Sequence, residues 1–174
     1  MNLSGPLPFI FGRRSIRVFK PGTVGETIIT QLLQAAMAAP SAVAKDPWRF
    51  VVSQQRDLLA ALASVLANGS MLHTASLCIT VCADMEAAHD RQLSYALQDC
   101  SAATENLLLA APAFGLGACW LGVHPREDKI RRVREILGLP ASVMPVASIA
   151  IGHPGEEKPP RTRFTPAFVH WEHW

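Results

Sequence analysis

Charge is scarce in this sequence. Lys, Arg, Asp and Glu together make up only 17% of its 174 residues, and they nearly cancel to a formal net charge of +2. A polyanion-binding domain usually carries a pI above about 9 with basic residues gathered along one face, so a chain this balanced is not expected to bind nucleic acid. The four cysteines, Cys78, Cys82, Cys100 and Cys119, form no CxxC pair and have no histidine at zinc-like spacing. They read as small buried hydrophobes in a reducing compartment, not as a metal site. A GxGxxG fingerprint is missing too, so a tightly held dinucleotide is not expected. The opening residues, MNLSGPLPFIFGRR, place two prolines in a short apolar stretch and put the arginines after it, the reverse of a signal peptide. The longest uncharged run, Asn106 to Pro125, is interrupted by Pro112, Gly115, Gly117 and Gly122, which argues against a membrane span. A cytoplasmic location is expected. No internal repeat or low-complexity tract is visible.

What is abundant is apolar surface. The hydrophobic fraction of 49% is high for a small monomer, so some of that surface is expected to be buried against a partner. The length fits a single domain over residues 1–174 with a sizeable core. Periodicity predicts amphipathic helices over 26–39, 56–67 and 127–137, the last capped by Gly138, and a long helix over 91–114 that Pro112 should bend or end early. Strands are predicted over 48–53, 77–83, 117–123 and 146–151. From about residue 153 to 166 the chain is too rich in proline for helix or sheet interior and should run extended. It ends in Phe168-Val169-His170-Trp171-Glu172-His173-Trp174, an aromatic tail that needs apolar surface to land on. A symmetric dimer with exchanged arms over 153–174 meets that need; an arm folded back on its own subunit is the alternative.

The densest local chemistry is Arg13-Arg14-Ser15-Ile16-Arg17. A guanidinium donates two parallel hydrogen bonds and stays protonated, which suits a dianionic phosphate. In an extended segment Arg13, Ser15 and Arg17 share one face and Ile16 and Val18 the other, giving a polar cluster in front of an apolar anchor. Read alone, the same residues are more readily a solvated set of surface charges.

The order of the downstream blocks resolves that ambiguity. Arg13-Arg14-Ser15-Ile16-Arg17-Val18-Phe19 is followed by Ala39-Pro40-Ser41-Ala42, Pro47-Trp48-Arg49-Phe50-Val51-Val52, the stretch Gln98 to Ala111, and Gly115-Leu116-Gly117-Ala118-Cys119-Trp120-Leu121-Gly122. The turn expected at Ile151-Gly152-His153-Pro154, then Arg161-Thr162-Arg163 and the terminal VHWEHW, complete the series. Nearly the whole chain thus resembles the FMN-dependent nitroreductase family.

The resemblance implies an α+β nitroreductase-like fold, a central, mostly antiparallel sheet flanked by helices, and an intertwined homodimer with two FMN sites at the subunit interface. It implies that Arg13, Arg14, Ser15 and Arg17 hold the FMN phosphate and ribityl chain, with Arg161 and Arg163 completing the phosphate site. Pro40, Ser41 and Ala42 would approach the isoalloxazine from the other subunit, while Trp120, Leu121 and Gly122 line the ring. No catalytic acid–base residue is implied, and no histidine is assigned one. The implied activity is hydride transfer from NAD(P)H, a transient reductant, to flavin N5, then ping-pong reduction of a nitroaromatic, quinone or similar small acceptor. The alternatives are a same-fold flavin-dependent oxidase or flavin-cleaving enzyme, and a non-catalytic flavin-binding dimer. Three positions depart from the family pattern. Ala44 and Asp46 stand where Asn and Gln are frequent, and Ser70 stands where several members carry a lysine near the pyrimidine edge of the flavin. Lys45 or a main-chain donor would have to make up for either loss.

Overall fold

A computed structural model describes residues 6–174. The spine of the fold is β5 (Val143–Pro154), which pairs antiparallel with three other strands, β1 (Phe19–Lys20), β3 (Leu77–Asp84) and β4 (Gly117–Gly122). The fifth strand, β2 (Trp48–Ser53), pairs antiparallel with β3. The result is the α+β architecture expected: a five-stranded antiparallel sheet flanked by helices. The helices are α1 (Pro8–Gly12), α2 (Glu26–Met37), α3 (Arg56–Val65), α4 (Leu93–Ala110) and α5 (Glu127–Leu137).

Strand alternation divides the core in two. Leu77, Ile79, Val81, Ala118, Ile149 and Ile151 belong to the layer packed on α2 and α4. Cys78, Cys119, Leu121 and Ala150 belong to the opposite layer, with Leu59 and Leu62 of α3 and Ile130 and Val133 of α5. Both faces of β3 and β5 are covered, which is why these strands read as nearly continuous apolar runs. The polar exception is internally satisfied: the buried Thr80 and Ser148 hydroxyls are hydrogen-bonded to each other at 2.9 Å. Fully buried Leu32 and Leu107 each contribute on the order of 1.5–3 kcal/mol through burial. In α4 the buried positions include Ala96, Cys100 and Ala103. These small side chains let the helix lie close to its neighbours, and Asn106 Nδ2 donates to the Ala35 carbonyl of α2 at 3.1 Å.

Several boundaries differ from the sequence reading. The strand expected over 146–151 extends to Val143–Pro154, because β3 pairs along it from Val143 to Ile151 and β1 pairs with its last two residues. Ile151 to Pro154 is therefore strand, not turn. A register shift opposite Val81 and Cys82 absorbs one residue there and breaks strict alternation. The long helix ends at Ala110 and continues as a 3-10 turn over Ala111–Phe114 around Pro112. Gly138 adopts φ 63° at the end of α5, the left-handed cap expected of it. α1 was not foreseen; it is five residues long and opens on Pro8. Val18 is 53% exposed, so it is not the second apolar anchor of the arginine segment. Ile16 and Phe19 are the anchors, because the chain there is too irregular to keep a two-residue period.

Candidate functional site

β1 pairing determines what lies beside the arginine cluster. Phe19 opposite Pro154 and Lys20 opposite His153 bring residues 11–18 alongside the proline-rich segment that follows β5. The two stretches are tied together by Gly155 N–H to the Val18 carbonyl (2.8 Å) and Arg161 N–H to the Phe11 carbonyl (3.0 Å). On its other side the cluster leans on β4, where Ile16 N–H donates to the Ala118 carbonyl at 3.0 Å. Between these supports lies a cavity of about 590 Å³ lined by Arg13, Arg14, Ser15 and Arg17 together with Arg161 and Arg163. All six residues assigned to the phosphate from sequence thus surround one space, although about 145 residues separate the two groups along the chain.

Three charged residues that sequence reasoning missed shape this cavity. Lys158 lines it and donates to the Ser15 carbonyl at 2.7 Å and to Glu156 Oε1 at 2.9 Å. The same Glu156 oxygen accepts the Arg17 N–H at 2.6 Å. Glu156 therefore pins the Ser15–Arg17 main chain, and the Lys158 ammonium, followed by the Arg17 N–H, holds its carboxyl below the usual glutamate range. The third is Glu105 of α4, whose Oε1 lies 3.2 Å from Arg13 Nε. It is the single carboxylate lining the cavity among the described residues, against five arginines and one lysine. Arg14 is held by the Pro159 carbonyl. The sequence held a faint signal for Lys158 and Glu156, two charges in an otherwise proline-rich stretch. Glu105 gave none, since a lone acid on a long helix reads as a solvated face.

A second cavity of about 280 Å³ adjoins the first through Arg17, which lines both. Trp120, Leu121 and Gly122 line it with Asn68, Met71, Cys119, His124, Arg126 and Lys129. Leu121 points mainly into the core, at 3% exposure, whereas Trp120 is 37% exposed. A Cβ built on Gly122 meets nothing within 4 Å, so the main chain there is open to close approach. Ser70 is exposed and does not line this cavity, although Asn68 and Met71 on either side of it do.

Pro40, Ser41 and Ala42 lie at neither cavity of this chain. They belong to a loop held by the buried Asp99, whose Oδ1 accepts the Ala42 N–H at 2.9 Å, and closed by Ser41 Oγ and Asp46. Val43, Ala44 and Asp46 all have positive φ in this loop, an uncommon density of left-handed non-glycine residues. Lys45 is exposed and faces a different hollow, bounded by residues 86–91. The arm divides in two: residues 155–161 pack on their own chain, while Phe168, Trp171 and Trp174 are 80%, 83% and 100% exposed. Among the described residues no cluster of His, Cys, Asp and Glu could hold a metal, and no helix is long and apolar enough to cross a membrane.

The antiparallel α+β scaffold thus sets an arginine-lined cavity beside a glycine-edged one, with Arg17 lining both. The nitroreductase family model matches residues 10–69 and 54–153. A protein of Archaeoglobus fulgidus named "Putative NADH dehydrogenase/NAD(P)H nitroreductase" is 41% identical over 171 residues, covering 97% of this chain and 98% of that one. A crystal structure of a protein of the same name from Parabacteroides distasonis is 36% identical with a TM-score of 0.91, covering 97% and 98% of the two chains. The structure of an FMN-dependent nitroreductase from Clostridium difficile is 29% identical with a TM-score of 0.86, covering 95% and 98%. The chain belongs to the nitroreductase family.

Proposed function

We propose that this protein is an FMN-dependent NAD(P)H oxidoreductase that reduces a nitroaromatic, quinone or similar small acceptor. The observation that carries the reading is the first cavity, where Arg13, Arg14, Ser15 and Arg17 meet Arg161 and Arg163. The neighbour from Clostridium difficile, described as FMN-dependent, supports it. When bound, FMN supplies the redox chemistry, taking a hydride from the nicotinamide and passing reducing equivalents to the acceptor. The chain supplies binding and orientation. The arginines and Ser15 hold the phosphate, each charge-assisted hydrogen bond contributing about 1.5–3 kcal/mol. Glu156 and Lys158 keep the Ser15–Arg17 backbone in place for that contact. At Gly122 the β4 edge offers its main chain to the ring with open space where a Cβ would sit. Pro40, Ser41 and Ala42, absent from both cavities, come from a second copy of the chain. The exposed Phe168, Trp171 and Trp174 support such a dimer, since apolar surface on this scale is costly in water.

The test is an absorbance spectrum of the purified protein after FMN loading, before and after anaerobic NADH or NADPH. A flavin spectrum bleached by at least one donor is expected. FMN that stays bound yet is bleached by neither refutes the reductase reading and leaves the flavin-binding dimer. Arg13→Ala should remain folded and lose FMN on dialysis; unchanged FMN affinity would place the phosphate elsewhere.

A further inference from the structure

The second cavity carries positive charge without compensation. Arg17, Arg126 and Lys129 line it, and among the described residues no carboxylate does. Glu127 and Asp128, between the last two in sequence, are exposed and lie outside the lining. Its thiol, Cys119, is pushed above the ordinary thiol range by burial and stays neutral at neutral pH; His124 is the remaining titratable group. Neither Arg126 nor Lys129 forms an ion pair or a side-chain hydrogen bond among the described residues. Arg17 is partly committed elsewhere: its Nη1 lies 3.4 Å from the Ser15 carbonyl and it also lines the phosphate cavity.

The two remaining cations differ in setting. Arg126 is exposed before the start of α5, whereas Lys129 is half-buried on the helix itself, next to the buried Ile130. A charge with less water around it is screened less, and a helix anchored by Ile130 and Val133 holds it in place. We propose that Lys129 is the cation of the ring cavity, acting with Arg17 on negative charge that appears when the ring is reduced, a role that the uncharged Ser70, outside the lining, does not fill. The inference rests on the reading of this cavity as the seat of the isoalloxazine. A cation here acts little on the neutral oxidised ring and favours the reduced, more negative one, so its effect falls on the midpoint potential and not on uptake of oxidised FMN.

The experiment uses full-length protein loaded with FMN and three variants: Lys129→Gln, Lys129→Arg, and Arg131→Gln on the exposed face of the same helix. Oxidised FMN affinity is read by flavin fluorescence and the potential by equilibration with reference dyes. Lys129→Gln should bind oxidised FMN within about twofold of the parent while its preference for the reduced form falls about tenfold, a shift of about 30 mV for a two-electron couple. Lys129→Arg should restore the potential, and Arg131→Gln should leave it unmoved. Parent-like potential in Lys129→Gln, or an equal shift in Arg131→Gln, overturns the inference while FMN binding stands. A parent protein that takes up no FMN overturns the underlying reading, and this inference with it.

Discussion

Gly117→Ala tests how tightly the sheet and the arginine-lined cavity are coupled. Gly117 is buried at the start of β4, and a Cβ there would lie 2.7 Å from Ile16 Cγ2 and 2.8 Å from Ile16 Cβ. Ordinary carbon contacts are about 3.5–4.0 Å, so roughly 1 Å must be found. Rotating Ile16 about χ1 moves its Cγ atoms but not its Cβ, and a β-branched side chain has few rotamers to offer. The Ile16 backbone itself must retreat, and its 3.0 Å hydrogen bond to the Ala118 carbonyl goes with it. Overpacking costs about 1–3 kcal/mol and the lost hydrogen bond about 0.5–1.5 kcal/mol. The stiffer unfolded chain of the alanine variant offsets about 0.4–1 kcal/mol. The net loss is about 1–4 kcal/mol, or a fall in melting temperature of about 3–10 °C for a chain this long. It should be measured on FMN-free protein, because ligand binding would mask it. Ile16 lies between Ser15 and Arg17, so FMN affinity should also drop at least about tenfold, the equivalent of one charge-assisted hydrogen bond. Gly122→Ala is the control in the same strand: its Cβ meets nothing within 4 Å, so stability should hold while FMN binding weakens. Parent-like stability and affinity in Gly117→Ala would refute the coupling.

The remaining expectations concern titrating groups. Burial raises Cys78, Cys82 and Cys100 to about 12 and raises Cys119 as well, so a disulfide reagent at pH 8 should titrate no thiol in the native protein and all four after unfolding. Rapid labelling of any one before unfolding would contradict the packing described. Glu156 has its pKa lowered on folding by Lys158 and by the Arg17 N–H. Its contribution is therefore present above the ordinary glutamate pKa and is lost as pH falls through the depressed folded value. Thermal melts across the acid range should show a shallower loss for Glu156→Gln than for the parent; parallel curves would assign the acid limb to other carboxylates.

Much of this protein was legible in its residues because the signals were local. Apolar, β-branched and aromatic runs marked four strands and helical spacing marked helices, and glycine and proline marked several of their ends, as at Gly138 and Pro112. The ordered blocks from Arg13 to Arg163 pointed to the family before any contact was known. The misses arose where a neighbour decides the outcome. Val18 is exposed because its segment follows β4 and the β5 extension instead of a regular strand of its own, and β5 is long because β1 and β3 extend its pairing.

Residue order alone specifies which donors this chain has: a cluster of guanidiniums at 13–17, a pair at 161 and 163, and a glycine-punctuated apolar strand between. That the guanidiniums line one cavity follows from long-range pairing. The pairing of Phe19 with Pro154 lays residues 11–18 against 155–161, and α4 brings Glu105 to Arg13 across the same space. The packing of α5 on the sheet sets Lys129 beside Trp120 and Gly122. Spacing along a chain reports which side chains share an element's face; which faces meet is decided by long-range pairing and core packing, and those placed the charges around the two cavities.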